Sequence, residues 1–319
     1  MSSDHGHDHD HSHGTGELDP PRVEEVADGV FAYIQPDGSW WINNTGFLTS
    51  DDGVVAIDTC STERRTRAFL DSMRSVSDAP LRLLVNTHHH GDHTHGNYLT
   101  HPAAIVAHER CRELILQTGI LHVPGVWDDV EWGDLRVAPP IVTFDDHLTV
   151  WSGDTRVELH HPGTAAHTTN DVVAWLPEQR VLFAGDLVFN GGTPFVMMGS
   201  LTGAIDTVEW LRSFDAEVIV PGHGDVCDQT VLDGIERYYR FVDGVAADAH
   251  ASGTTPLDAA RQIDLGEFAA LSDSERLAGN LHRALAERSG LERGAPIDLI
   301  DAIGDMIQLN GGRPLRCLA

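Results

Sequence analysis

The sequence predicts an α/β protein made of two sheets with helices outside them. Short apolar runs bounded by turn residues recur from about residue 30 to residue 224, which is the pattern of buried strands. Helical stretches are interspersed among them in both halves of the chain, so neither sheet is left bare. From about residue 256 the pattern turns wholly helical.

In order along the chain, VFAYIQ (30–35) and WINNTGFLT (41–49) read as strands of a hairpin or meander, joined by the turn residues Pro36, Asp37 and Gly38. VVAIDT (54–59) is a short apolar run ending in Asp58 and suits a buried strand. Residues 62–75 have helical character, and LRLLVNT (81–87) is a second buried strand. AAIVAH (103–108) is a strand, followed by a helix that Gly119 stops. Residues 120–138 are rich in Trp, Pro and Gly and read as a long loop. Strands recur at 140–144, 147–151, 155–160, 171–176 and 181–185, then a helix at 203–213 and a strand at 217–224. Helices are expected at 228–249, 256–262, 272–289 and 297–308. No internal repeat is visible.

The 319 residues accommodate one large α/β domain or a domain with an appendage. The organisation expected is a His-rich tail at 1–16, a main domain at 17–250 and a helical extension at 251–319. In the tail, His5, His7, His9, His11 and His13 alternate with Asp, Gly and Ser; such a stretch cannot build a core and reads as disordered, with weak metal affinity at most.

There are 49 acidic residues against 21 basic ones, a formal charge of −28, and every basic residue is Arg. Such a field repels phosphate backbones and anionic membranes, so neither nucleic acid nor a membrane is an expected partner. Cys60, Cys111, Cys227 and Cys317 form no C-x-x-C pair and too few bridges for a disulfide framework; reduced thiols in a cytoplasm fit best. No secretory signal and no membrane-spanning run is visible.

The chemistry is concentrated in NTHHHGDHTHGN (86–97), where His88-x-His90-x-Asp92-His93 directly follows an apolar strand. Nitrogen and carboxylate donors crowded at one strand tip suit zinc, and also iron or manganese. His89 and His95 lie in the same stretch but are not expected as ligands. His167 follows a strand, Asp186 ends the apolar run VLFAGD, and His223 stands at the tip of VIVPGHG. In each case a donor sits where a buried strand runs out.

These residues, in this order and with their AGD and PGHG contexts, resemble the metallo-β-lactamase superfamily over roughly residues 24–250. The resemblance implies an αββα sandwich with two Zn²⁺ at one edge. It implies that His88, His90 and His167 hold one metal, that Asp92, His93 and His223 hold the other, and that Asp186 bridges them. Asp58 matches a family residue that supports the metal loop. The implied reaction is hydrolysis by a water shared between the cations, with Asp92 as the catalytic residue that orients it and moves a proton. Cys60 and Cys227 are expected to pack. The helical C-terminal stretch resembles the tail of uncharacterised bacterial members; it is expected to cap the pocket or form a homodimer interface, and His282 within it is not expected as a ligand.

On the substrate the residues say less. β-Lactamases of this superfamily carry Cys or Ser where Asp186 stands, which argues against β-lactams. An acidic surface argues against the nuclease branch, and the lack of Lys argues against the glutathione-thioester branch. The segment SWWINN (39–44), Trp127, Trp132, Phe195, Met197 and Met198 are expected to wall the pocket. Apolar, adaptable side chains favour a small hydrophobic ester, lactone or thioester. The competing readings are a mononuclear iron sulfur oxygenase on the same fold and a non-enzymatic metal-binding protein.

Overall fold

The computed structural model describes residues 18–121 and 123–319; the His-rich tail, with His5 to His13, lies outside them. Strands β1 (Arg22–Ala27), β2 (Val30–Ile34), β3 (Thr45–Ser50), β4 (Gly53–Ile57), β5 (Leu81–Val85), β6 (Ala104–His108) and β7 (Val142–Phe144) form the first sheet in that spatial order. Pairing is antiparallel as far as β4 and parallel beyond it. Strands β8 (His147–Ser152), β9 (Thr155–His160), β10 (Val173–Leu176), β11 (Val181–Asn190) and β12 (Val218–Gly224) form the second, in the order β12-β11-β10-β9-β8. Only β11 and β12 pair in parallel there.

Side chains alternate across each strand, so each sheet has two apolar faces to bury. Val30, Ala32, Ile34, Leu48, Val55, Ile57 and Val85 of the first sheet meet Val157, Leu159, Ala174, Val181, Phe183 and Val220 of the second in one apolar layer. The intervening residues face outward. Tyr33, Phe47, Ala56 and Leu84 pack against Phe69, Leu70 and Met73 of α1 (Glu63–Val76). Thr62 caps that helix by accepting from the Arg65 N–H, and its buried residues recur at helical spacing.

Between the sheets' strands lie α2 (Gly91–Thr94) and α3 (Glu109–Thr118). Outside the second sheet, Val173, Leu182, Ala184 and Ile219 join a large cluster with α4 (Leu201–Arg212) and α5 (Val231–Ser252). The same cluster takes in α6 (Pro256–Gln262), α7 (Arg276–Arg288) and α8 (Leu299–Leu309) through Ala259, Leu277, Leu281, Ala302 and Met306. The layers therefore run helix, sheet, sheet, helix, with the C-terminal helices added to the last layer. None of the helices among the described residues is long and apolar enough to cross a membrane.

Three differences from the sequence reading bear on the site. Residues 41–44 are not strand: Ile42 N–H closes a turn on the Ser39 carbonyl and Trp41 has φ 66°, so this stretch is a loop before β3. Asp186 does not end its strand, because β11 continues to Asn190; the pairing with β12 slips on either side of Gly185 instead. β1 was not anticipated, since RVEEVA is an edge strand whose residues are half-buried or exposed.

Candidate metal centre

β4, β5 and β12 run out at one edge of the sandwich, beside the slip in β11. That is where parallel strands leave a crevice for ligands. After β5, Asn86 N–H donates to the Val106 carbonyl (2.9 Å) and Thr87 N–H to Asp58 Oδ1 (2.8 Å). The chain then makes the single turn α2, with Thr94 Oγ1 donating back to the His90 carbonyl (2.9 Å). Asn86, Thr59 and Asn97 hold this loop through the His93 carbonyl and the Asn97 side chain.

His88, His90, His167 and Asp186 each offer a donor atom within 4.8 Å of the others, and Asp92, His93 and His223 form a second such group. Asp186 lies against both: its Oδ1 is 3.1 Å from His93 Nε2, and its Oδ2 is 3.3 Å from His167 Nε2 and 3.4 Å from His223 Nε2. Asp92 Oδ2 is 3.3 Å from His223 Nε2. All seven side chains singled out in the sequence thus meet in one place.

Two glycines make room for this. Gly185 has φ +52°, and a Cβ there would meet the Thr87 side chain at 2.8 Å. A Cβ on Gly222 would lie 1.9 Å from Asp186 Oδ1.

The rings are oriented from behind. His93 Nδ1 meets Asp58 Oδ2 at 2.8 Å, His167 Nδ1 the Phe195 carbonyl at 2.6 Å, and His223 Nδ1 the Gly38 carbonyl at 3.1 Å. Those oxygens can only accept, so each neutral ring keeps its proton on Nδ1 and turns the Nε2 lone pair to the centre. His88 Nε2, His93 Nε2 and Asp186 Oδ1 are buried without a hydrogen-bond partner. Leaving such atoms bare is costly, and a cation among them removes the cost. The donor set fits a divalent metal of the zinc, iron or manganese kind.

The electrostatics point the same way. Burial, reinforced by His93, holds His88 well below the ordinary histidine range, and burial with His89 does so for His90. Burial also opposes charging of His93 and His223, but the surrounding carboxylates win: His93 is pushed well up by Asp186, Asp58 and Asp92, and His223 to about 9 by Asp186 and Asp92. Burial works against ionised Asp92 and Asp186, yet neighbouring imidazoles hold both below the carboxylate range. The cluster is anionic at its centre and draws positive charge, as protons or as metal.

His89 and His95 stay out of both groups. Asn170 Nδ2 donates to His89 Nδ1 (3.0 Å), and burial lowers that ring to about 3. His95 stacks on Trp41 with centroids 5.6 Å apart. His282 pairs with Asp305 at 2.7 Å. All four cysteines are free, and Cys60 is buried in the α1 core.

Two useful residues escaped the sequence reading. Asp171 accepts from Thr168 N–H (2.8 Å) and Oγ1 (2.6 Å) and so fixes the loop that carries His167; the HTTND stretch held that turn signal. Arg276 on α7 is buried beside the centre, its guanidinium 4.2 Å over the Trp40 ring, and nothing local in its sequence marks it.

A cavity of about 210 Å³ opens onto Asp92, Asp186, His90, His167 and His223. Trp40, Trp41 and Trp127, Phe189, Phe195, Met197 and Met198, and Leu299, Ile303 and Met306 supply its apolar lining. Trp132 packs behind Trp41 (4.8 Å between centroids) rather than lining the space.

The family model described as the metallo-beta-lactamase superfamily matches residues 38–223. The alpha subunit of 2,4-dinitroanisole O-demethylase from Nocardioides sp. is 27% identical over 63% of the chain and 55% of its own length. Linear primary-alkylsulfatase from Pseudomonas sp. is 26% identical over 56% of the chain and 40% of its own length. The chain thus spans about half or less of these two relatives. A solved metallo-beta-lactamase from Pontibacter korlensis, 22% identical, superposes with a TM-score of 0.59 over 69% of this chain and 99% of that one, which speaks to the fold.

Proposed function

The chain belongs to the metallo-beta-lactamase superfamily, and from that premise we propose that it is a zinc-dependent hydrolase holding two cations and acting on a small hydrophobic ester, lactone or thioester. The observation that carries the reading is the convergence of seven donors in two groups joined by Asp186.

His88, His90 and His167 would hold one ion, and Asp92, His93 and His223 the other, with Asp186 shared between them. When bound, the cations supply Lewis acidity, activating water and polarising the scissile group. Asp58, the Phe195 carbonyl and the Gly38 carbonyl keep three of the imidazoles in the ligating tautomer. Asp92 lines the cavity and is the group placed to take the proton of the nucleophilic water and return it to the leaving group. The apolar walls exclude bulk water around the reacting atoms.

The same walls support an apolar, uncharged substrate group. Arg276, the one Arg on the lining, is paired with Asp273 at 2.9 Å and donates to the Thr193 carbonyl. A net charge of −28 repels anions from solution. Two relatives named for an aryl ether and for linear alkyl sulfates agree with an apolar group in the site. The free cysteines support a reducing, cytoplasmic setting.

The test is a panel of lactones, aryl esters, thioesters, phosphodiesters and β-lactams on zinc-loaded protein, with metal content measured beside it. Two metals per chain and turnover of esters or lactones are expected. One iron per chain with thiol-dependent oxygen uptake would overturn the reading in favour of a sulfur oxygenase. Many weakly held ions without turnover would make the protein a metal buffer.

A further inference from the structure

Part of the cavity's lining comes from a segment outside the matched residues 38–223. α8 sets Leu299, Ile303 and Met306 at spacings of four and three, which places them on one helical face. That face meets the cavity, while Ile300, about a quarter turn round the helix, is 84% exposed. α8 is held there tightly: a Cβ on Gly279 of α7 would come within 3.0 Å of Phe195, 3.1 Å of Met306 Sδ and 3.2 Å of Met197 Sδ. The same space is thus lined by the donor cluster and by the aliphatic side chains of α8.

A substrate presented to the donors in this cavity shares it with the aliphatic side chains of α8. A cavity of about 210 Å³ leaves room for a short chain beside the reacting group. We infer that α8 is the substrate-selecting wall: the uncharged acyl or alkyl chain of the substrate runs from the metal centre and ends against Leu299 and Ile303. This rests on the hydrolase reading for the reaction, but not for the binding of the chain.

The test uses the full-length zinc-loaded protein, with Ile303→Trp to fill the wall and Ile303→Ala to recess it. Hexan-1-ol and propan-1-ol binding is measured by calorimetry, and kcat/KM is measured over p-nitrophenyl acetate, butyrate, hexanoate and octanoate. Ile303→Trp is expected to weaken hexan-1-ol at least ~10-fold more than propan-1-ol and to cut the hexanoate-to-acetate ratio by ~10-fold or more. Ile303→Ala is expected to move the optimum towards octanoate, and it carries the test if the Trp variant does not fold. Unchanged alcohol binding and an unchanged profile would overturn the inference, as would an equal loss at every chain length. If no ester is cleaved but hexan-1-ol binding still falls in Ile303→Trp, the wall stands and the ester-hydrolase reading falls.

Discussion

Replacing Asp58 by Asn tests whether the centre is held from behind. Asp58 is buried and sits at φ 59°, a conformation Asn adopts readily, so the backbone has no reason to move. Its two oxygens accept from Thr87 N–H (2.8 Å), Thr87 Oγ1 (2.6 Å) and His93 Nδ1 (2.8 Å). Asn keeps one acceptor for the Thr87 N–H and puts a donor where Oδ2 was. The Thr87 hydroxyl can rotate to accept from it, but His93 Nδ1 must then give up its proton. That moves the proton to Nε2, which faces Asp186 Oδ1 at 3.1 Å, and a protonated Nε2 cannot ligate. Loss of such a partner costs about 10- to 100-fold in metal affinity, or about 1.4–2.8 kcal/mol. The assay is competition with a chromophoric chelator, resolving the two binding steps at pH 7.5. The group of Asp92, His93 and His223 should weaken by that factor, and by more than the group of His88, His90 and His167, which this network touches only through Thr87 Oγ1, 3.1 Å from His88 Nδ1. Two wild-type affinities would refute the assigned support role.

Three further outcomes are expected. Asp92→Asn should lower turnover by about 10²-fold or more with an unchanged thermal midpoint for the metal-free protein; a variant as fast as wild type removes the proton-transfer role. Gly222→Ala puts a methyl 1.9 Å from Asp186 Oδ1 and 2.7 Å from the Gly185 carbonyl carbon, where backbone cannot retreat, so metal content by emission spectrometry should fall below one ion per chain on the order of micromolar free zinc. In the chelator-stripped protein His93 is raised and His223 stands near 9, burial being outweighed by Asp186 and its neighbours. A raised folded-state pKa stabilises fully below about 6.5, and that stabilisation is lost as pH climbs through about 9; the stripped protein's Tm should therefore fall across this window while its zinc affinity rises. A flat Tm profile counts against it.

Much of the centre was legible because its donors are local to strand ends. A buried apolar run that stops at a polar residue shows itself over six residues, and His88, His90, Asp92 and His93 sit within six positions of one another. Asp58, His167, Asp186 and His223 each close or follow such a run in the same way. Apart from the missed edge strand β1, the errors were of boundary and had local causes. Trp41 and Ile42 run towards the apolar residues of β3 and read as its beginning, yet Trp41 is turned into the left-handed region and Ile42 N–H closes the 39–44 loop on Ser39. Asp186 looked terminal because GD reads as punctuation, whereas Gly185 marks a slip in a strand that runs on through apolar Leu187 to Phe189.

The cavity's walls were harder to read, for a reason that separates chemistry from selectivity in this fold. Trp40 meets Phe195 (5.2 Å between centroids) and its indole N–H donates to Glu275 (2.7 Å); Arg276 reaches back across the chain to the Thr193 carbonyl (3.0 Å). The C-terminal residues close the same lid, with Cys317 packed on Trp41 and Arg316 paired to Asp37 at 2.8 Å. None of these pairs leaves a periodic or spaced signature, because each depends on where separately folded segments come to rest. The catalytic donors need only a strand and its end, whereas the surface that chooses the substrate needs the lid loop, the 191–199 loop and α7 and α8 all docked. Changes on α8 should therefore alter which substrate is taken while leaving metal affinity intact, and changes at Asp58 or Gly222 should do the reverse.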